Sequence, residues 1–77
     1  MEIKIKFFGS LSELTGKNEL IVSGIQDIKM LDEHLTSTYP ALHEQNYVFA
    51  VKDKICNEAF SLDAGETVAV LPPFAGG

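Results

Sequence analysis

Residues 27–40, "DIKMLDEHLTSTYP", decide how the chain folds, because they hold its one long helical pattern. Ile28, Leu31 and Leu35 fall at i, i+3 and i+7, a single apolar stripe along a helix. Asp27 stands just before the stripe. There its carboxylate can accept a free backbone N–H and meets the positive end of the helix dipole. Lys29, Asp32 and Glu33 fall on the wet side. Tyr39-Pro40 closes the helix, since a residue before proline avoids the helical region.

Outward from this helix the apolar period changes to two. "EIKIKFF" (2–8) puts Ile3, Ile5 and Phe7 on one side of a strand and Lys4, Lys6 and Phe8 on the other. "GSLSELTGK" (9–17) has capping-box spacing, with Ser10 as N-cap and Glu13 three residues on. Leu11 and Leu14 turn inward from one helical turn that Gly16 stops. "NELIVSG" (18–24) is a short apolar strand, expected to pair with the first. On the C-terminal side, Tyr47–Lys52 reads as a strand, Asp53-Lys54 as a turn, and Ile55-Cys56 as a short fourth strand. A turn at Asp63-Ala64-Gly65 leads into a last strand, Thr67–Leu71. Its alternation sends Val68 and Val70 to the core and Ala69 and Leu71 outward.

Strand, strand, helix, strand, short strand, strand is an α+β order. It predicts a mixed sheet of four to five strands with one main helix packed across it, the β-grasp or ubiquitin-like layout. The expected division is a domain over residues 1–71 and a flexible tail over 72–77.

Composition narrows the function. The 77 residues suffice for one domain, and 45% hydrophobic with 22% charged residues fits a soluble globular one. Six lysines and no arginine face eleven acids, for a net charge of −5. That balance repels a polyanion and lacks the residue best suited to phosphate and guanine, so nucleic acid is not expected as a partner. The acid surplus suits solubility or a basic partner surface. Cys56 is the only cysteine, which rules out an intrachain disulfide and places the chain in the cytoplasm; it reads as a packing residue. No signal peptide and no membrane span are expected.

An internal catalytic site is not expected. His34 and His43 lack metal-ligand spacing to a second His or Cys, so no metal is expected. Asp32 and Glu33 are adjacent on the helix and point about 100° apart, which does not make a catalytic pair. There is no phosphate-binding glycine loop, and no tightly bound cofactor is expected.

The ending, "LPPFAGG" (71–77), carries the remaining chemistry. Pro72-Pro73 removes two backbone donors, ends any strand ladder and stiffens the chain. Gly76-Gly77 has no side chain to block a narrow slot. Pro72 to Gly77, through Phe74 and Ala75, reach up to roughly 20 Å beyond the sheet. The Gly77 carboxylate, ionised at neutral pH, is a poor acyl donor until activated. A frayed terminus is the plainer alternative. Phe8, Leu71 and Phe74 are expected to form an exposed apolar patch at the tail's root, of the kind that marks a partner surface.

"KFFGSLSELTG" (6–16) and "GETVAVLPPFAGG" (65–77) resemble the small subunit of molybdopterin synthase, a β-grasp sulfur-carrier family. The resemblance runs along the whole chain and includes Tyr39-Pro40-Ala41-Leu42. It implies that an E1-like adenylating enzyme uses ATP to activate the Gly77 carboxylate. A persulfide-bearing protein then supplies sulfur and leaves a thiocarboxylate. It further implies that the tail enters a large synthase subunit, within a heterotetramer. There Gly77 gives sulfur to a pterin precursor to build the dithiolene of molybdopterin. Phe8, Leu71 and Phe74 match positions where the family meets its partners. Ser12 stands where many members have Arg, and Lys52 where many have Asn. Other readings are a carrier for thiamine or tRNA thiolation, a ubiquitin-type protein modifier, and an interaction module without acyl chemistry.

Overall fold

The computed structural model describes residues 2–73. Five strands form one sheet: β1 (Glu2–Phe7), β2 (Glu19–Ser23), β3 (Val48–Val51), β4 (Lys54–Cys56) and β5 (Thr67–Leu71). Their spatial order is β2-β1-β5-β3-β4. β1 and β5 run parallel at the centre, with Ile5 beside Val68 and Phe7 beside Val70. All other pairs are antiparallel. One helix, α2 (Ile28–Thr38), covers one side of the sheet, and a short α1 (Ser10–Thr15) links β1 to β2. The expected mixed sheet under one main helix is therefore present, with the short fourth strand formed.

The core lies between α2 and the inner side of the sheet. Ile28, Leu31 and Leu35 are buried, as their spacing predicts, against Ile3, Ile5, Val68 and Val70. Each such side chain contributes about 1.5–3 kcal/mol through burial. Among the described residues no polar or charged residue is buried. Two edge-on aromatic pairs close the ends, Phe7 with Tyr39 at 6.1 Å and Tyr47 with Phe49 at 5.5 Å.

The start of α2 shows why the long β4–β5 connection folds where it does. A helix leaves its first backbone N–H groups without internal partners. Here Ile28 N donates to Phe60 O, Lys29 N to Glu58 O, and Met30 N to the Asp27 carboxylate at 2.8 Å. Asp27 is thus the N-cap the sequence predicts. The connection supplies the other two acceptors and becomes a strap, held further by Leu62 N to Gln26 O and the Asp27–Ser61 bridge.

Three local expectations change. Ser10 does not cap α1; Gly9 does, with φ 58° and no side-chain cap bond. The helix begins one residue earlier, so the Ser10 hydroxyl no longer faces a free N–H. The Ser12 hydroxyl instead donates to Gly9 O at 2.9 Å. The β3–β4 turn sits at Lys52-Asp53 rather than Asp53-Lys54, both with positive φ (52° and 65°). That two-residue geometry follows the twist of a hairpin and normally selects Asn or Gly. Finally, Asp32 is not on the wet side of α2, but is half-buried beneath Tyr47.

Candidate functional site

The last strand delivers the tail. Thr67–Leu71 forms as predicted, with Val68 and Val70 fully buried and Ala69 and Leu71 on the open side of the sheet. Leu71 pairs with Val48 of β3, and Phe8 N donates to Val70 O at 3.1 Å on the β1 side. Pro72 follows immediately. It has no N–H to give, so the ladder stops there. The Pro72 ring lies against Gly9, where a Cβ would sit 3.3 Å from Pro72 Cγ. Gly9 therefore serves two needs, a positive φ and the close approach of the tail's root. The sequence reading assigned Gly9 no such role. Its signal, a glycine directly after a strand, does not say which segment will lie against it.

The root is thus gripped between the end of β1 and the start of β3. Phe8 is 44% exposed and Leu71 half-buried, both on the open side. Phe8 follows the end of β1 and Leu71 ends the neighbouring β5, and the Phe8 N to Val70 O bond joins the two segments there. The third, Phe74, and the rest of the predicted tail site, Ala75, Gly76 and Gly77, lie outside the described residues.

The other candidates scatter. His34 and His43 are both exposed, on α2 and on the 3₁₀ helix Pro40–Glu44. Among the described residues no group of three or more His, Cys, Asp or Glu gathers to hold a metal ion. Cys56 packs against the core, and its thiol donates to Lys54 O at 3.3 Å. It borders a cleft of about 560 Å³ between α2 and the β4 edge, which Asp32, His43 and Tyr47 also line. The Tyr47 hydroxyl donates to Asp32 Oδ1 at 2.5 Å across this cleft. Burial above all, then this bond and the Asp32 charge, push the Tyr47 hydroxyl pKa well above its usual value. At neutral pH it remains a donor, which suits a clasp holding β3 to α2. Among the described residues, no helix is long and apolar enough to cross a membrane.

The five-stranded mixed sheet, the helix across it and a central last strand running out past the sheet define a β-grasp, ubiquitin-like protein. The ThiS family model matches residues 5–77, and the chain belongs to that family. A molybdopterin synthase sulfur carrier subunit from Caenorhabditis briggsae is 32% identical over 83 residues, covering 100% of this chain and 99% of the relative. Among solved structures, a putative molybdopterin converting factor subunit 1 from Pyrococcus furiosus superposes with a TM-score of 0.86 at 21% identity, covering 96% of this chain and 99% of that one. The complex of subunits 1 and 2 of molybdopterin-converting factor from Helicobacter pylori contains a similar chain, with a TM-score of 0.73 at 24% identity and full coverage of both chains.

Proposed function

We propose that this chain is the sulfur-carrier small subunit of a molybdopterin synthase, with Gly77 as the residue that carries sulfur. The observation that carries the reading is similarity along the entire chain to a relative of that name. The family match also runs through residue 77, so the Pro72-Pro73 stem and Gly76-Gly77 fall inside it. The grip on Leu71 and Pro72 supports the same reading. A carrier must present one carboxylate to several enzymes in turn, and a root fixed by Val48, Phe8 and Gly9 gives each of them the same starting point.

In this reading an E1-like adenylating enzyme holds ATP. The Gly77 carboxylate attacks its α-phosphate and pyrophosphate leaves. The terminal sulfur of a persulfide-bearing donor then attacks the acyl-adenylate, displacing AMP and forming an acyl disulfide; a second thiol of the donor attacks the donor-side sulfur of that bond, which leaves a disulfide on the donor and releases the thiocarboxylate. The large synthase subunit next takes the tail, in a heterotetramer, and the sulfur passes to a pterin precursor. The chain needs no bound cofactor of its own. The cytoplasm, where thiols stay reduced, is the fitting compartment.

Intact-protein mass spectrometry tests this directly. The purified chain is incubated with ATP, an E1-like activating enzyme and sulfide. Exchange of one oxygen for one sulfur is expected in the full chain and not in a Gly77 deletion. An unchanged mass, with the enzyme active on its own carrier, overturns the reading.

A further inference from the structure

Four of the described glycines hold a positive φ, and one of them differs from the rest. At Gly16, Gly24 and Gly65, no described atom beyond the chain neighbours lies within 4 Å of where a Cβ would sit. At Gly9 that position is 3.3 Å from Pro72 Cγ and 3.8 Å from Pro72 Cδ, so the ring would have to give by a few tenths of an ångström. Backbone geometry alone accounts for glycine at the other three sites. At position 9 the root of the tail adds a second demand.

The turn that holds Gly9 is tightly built. Leu11 N donates to Phe8 O at 3.2 Å, which closes Phe8-Gly9-Ser10-Leu11 as a four-residue turn. Gly9 has φ 58° and ψ −136°, the first central position of a type II′ turn, where glycine is favoured. Its carbonyl accepts twice from Ser12, from the backbone N at 3.2 Å and from the hydroxyl at 2.9 Å. Leu11, 1% exposed, anchors the turn in the core. The first turn of α1 thus fixes the residue that Pro72 abuts. Pro72 itself has little freedom around this contact. Its ring sets its own φ, and Pro73 after it holds its ψ to extended values. Where the ring rests therefore decides where the chain goes next.

We infer that Gly9 is a positioning residue for sulfur transfer: it lets the Pro72 ring lie against the turn and so sets the direction in which the chain leaves the sheet toward Gly77. It acts through Pro72 and touches neither the reacting carboxylate nor an enzyme. The inference rests on the sulfur-carrier reading above and adds a residue outside the tail that governs how the tail is presented. Small misplacements of a reacting group cost much rate, so a displaced ring slows the chemistry without loss of the fold. Ser12 belongs to the same device, because its hydroxyl holds the Gly9 carbonyl.

A double-mutant cycle separates this from a purely structural role. Thiocarboxylate formation by an E1-like enzyme with ATP and sulfide is followed by intact-protein mass spectrometry. It yields kcat and KM for the parent, Gly9→Ala, Pro72→Ala and the double variant, with thermal melts alongside. Gly9→Ala strains the turn and is expected to lower the melting temperature in both backgrounds. Its kcat/KM is expected to fall about tenfold with the Pro72 ring present, and less than about twofold once Pro72→Ala has removed Cγ and Cδ. Gly24→Ala is the control: φ is 77° and the space is open, next to Ser23, which pairs with Glu2 at the far end of β1 from Pro72. It is expected to lose stability and keep the parent kcat/KM. Ser12→Ala puts no strain on the Gly9 backbone, and is expected to cost about threefold in kcat/KM, again only with the ring present. Should Gly9→Ala fail to fold, Ser12→Ala decides alone, and parent-like kinetics there overturn the inference. Equal losses with and without the ring, or parent-like kinetics in folded Gly9→Ala, overturn it as well and leave the sulfur-carrier reading intact. A parent chain that gains no sulfur from an enzyme active on its own carrier overturns both.

Discussion

Val68 and Val70 are fully buried beneath α2, while Ala69 and Leu71, from the same five residues of β5, stand on the open side of the sheet. The inner side packs large aliphatic groups from β1, β5 and α2 into one cluster. The outer side carries small residues, lysines and an exposed Phe8. One strand thus serves two demands because its side chains alternate. The inner set holds the domain together. The outer set is available for a partner, at the place where the chain leaves the sheet. Changes to one side should read out in stability and changes to the other in binding.

The largest expected effect is on the inner side. Val70→Asp buries an unpaired charge in a small core, and the cooperative thermal transition is expected to vanish. A folded Val70→Asp protein with a normal melt would break the comparison outright. Leu35→Ala, under the helix, is expected to cost about 2–5 kcal/mol by chemical denaturation, from lost burial and the cavity left behind.

A middle case sharpens it. Tyr47→Phe removes the hydroxyl that bonds Asp32 and is expected to cost about 1 kcal/mol at neutral pH. The sign of its pH dependence follows from the raised pKa. A phenol held neutral in the folded state stabilises fully below its unfolded pKa of about 10, and that contribution is lost as pH rises above it. Denaturation curves of parent and variant should therefore converge above about pH 10. A gap that stays constant through that range would remove the clasp from the account.

The smallest effect on stability belongs to the outer side. Phe8→Ala is expected to shift stability by less than about 1 kcal/mol, since the ring is 44% exposed, while weakening association with the large subunit. If its melting temperature fell as far as that of Leu35→Ala, Phe8 would belong to the packing set and the division between faces would fail.

Much of the layout was legible in the residue pattern. The α2 stripe, its Asp27 cap, the β1 alternation and the full extent of β5 all follow from spacing and local chemistry. These are short-range properties, set by 3.6- and 2-residue periods and by one side chain reaching one N–H. The Pro72–Gly77 ending was legible as chemistry for a similar reason, because proline and glycine act through their own backbones. Two of the differences have a long-range cause. Gly9, to which the sequence reading assigned no role, answers to Pro72, and Asp32, read only from its place on the helix, answers to Tyr47.

The sequence by itself thus determined the element types, the inner and outer sides of β1 and β5, and the absence of arginine that disfavours a polyanionic partner. Only the tertiary structure decided which outer residues become neighbours. The pairing of Ala50 with Ala69 joins positions on separate strands, and Gly9 meets Pro72 only because β1 and β5 run parallel at the centre. Strand order is a long-range choice, fixed by closing loops and burying one shared core, and no local period encodes it.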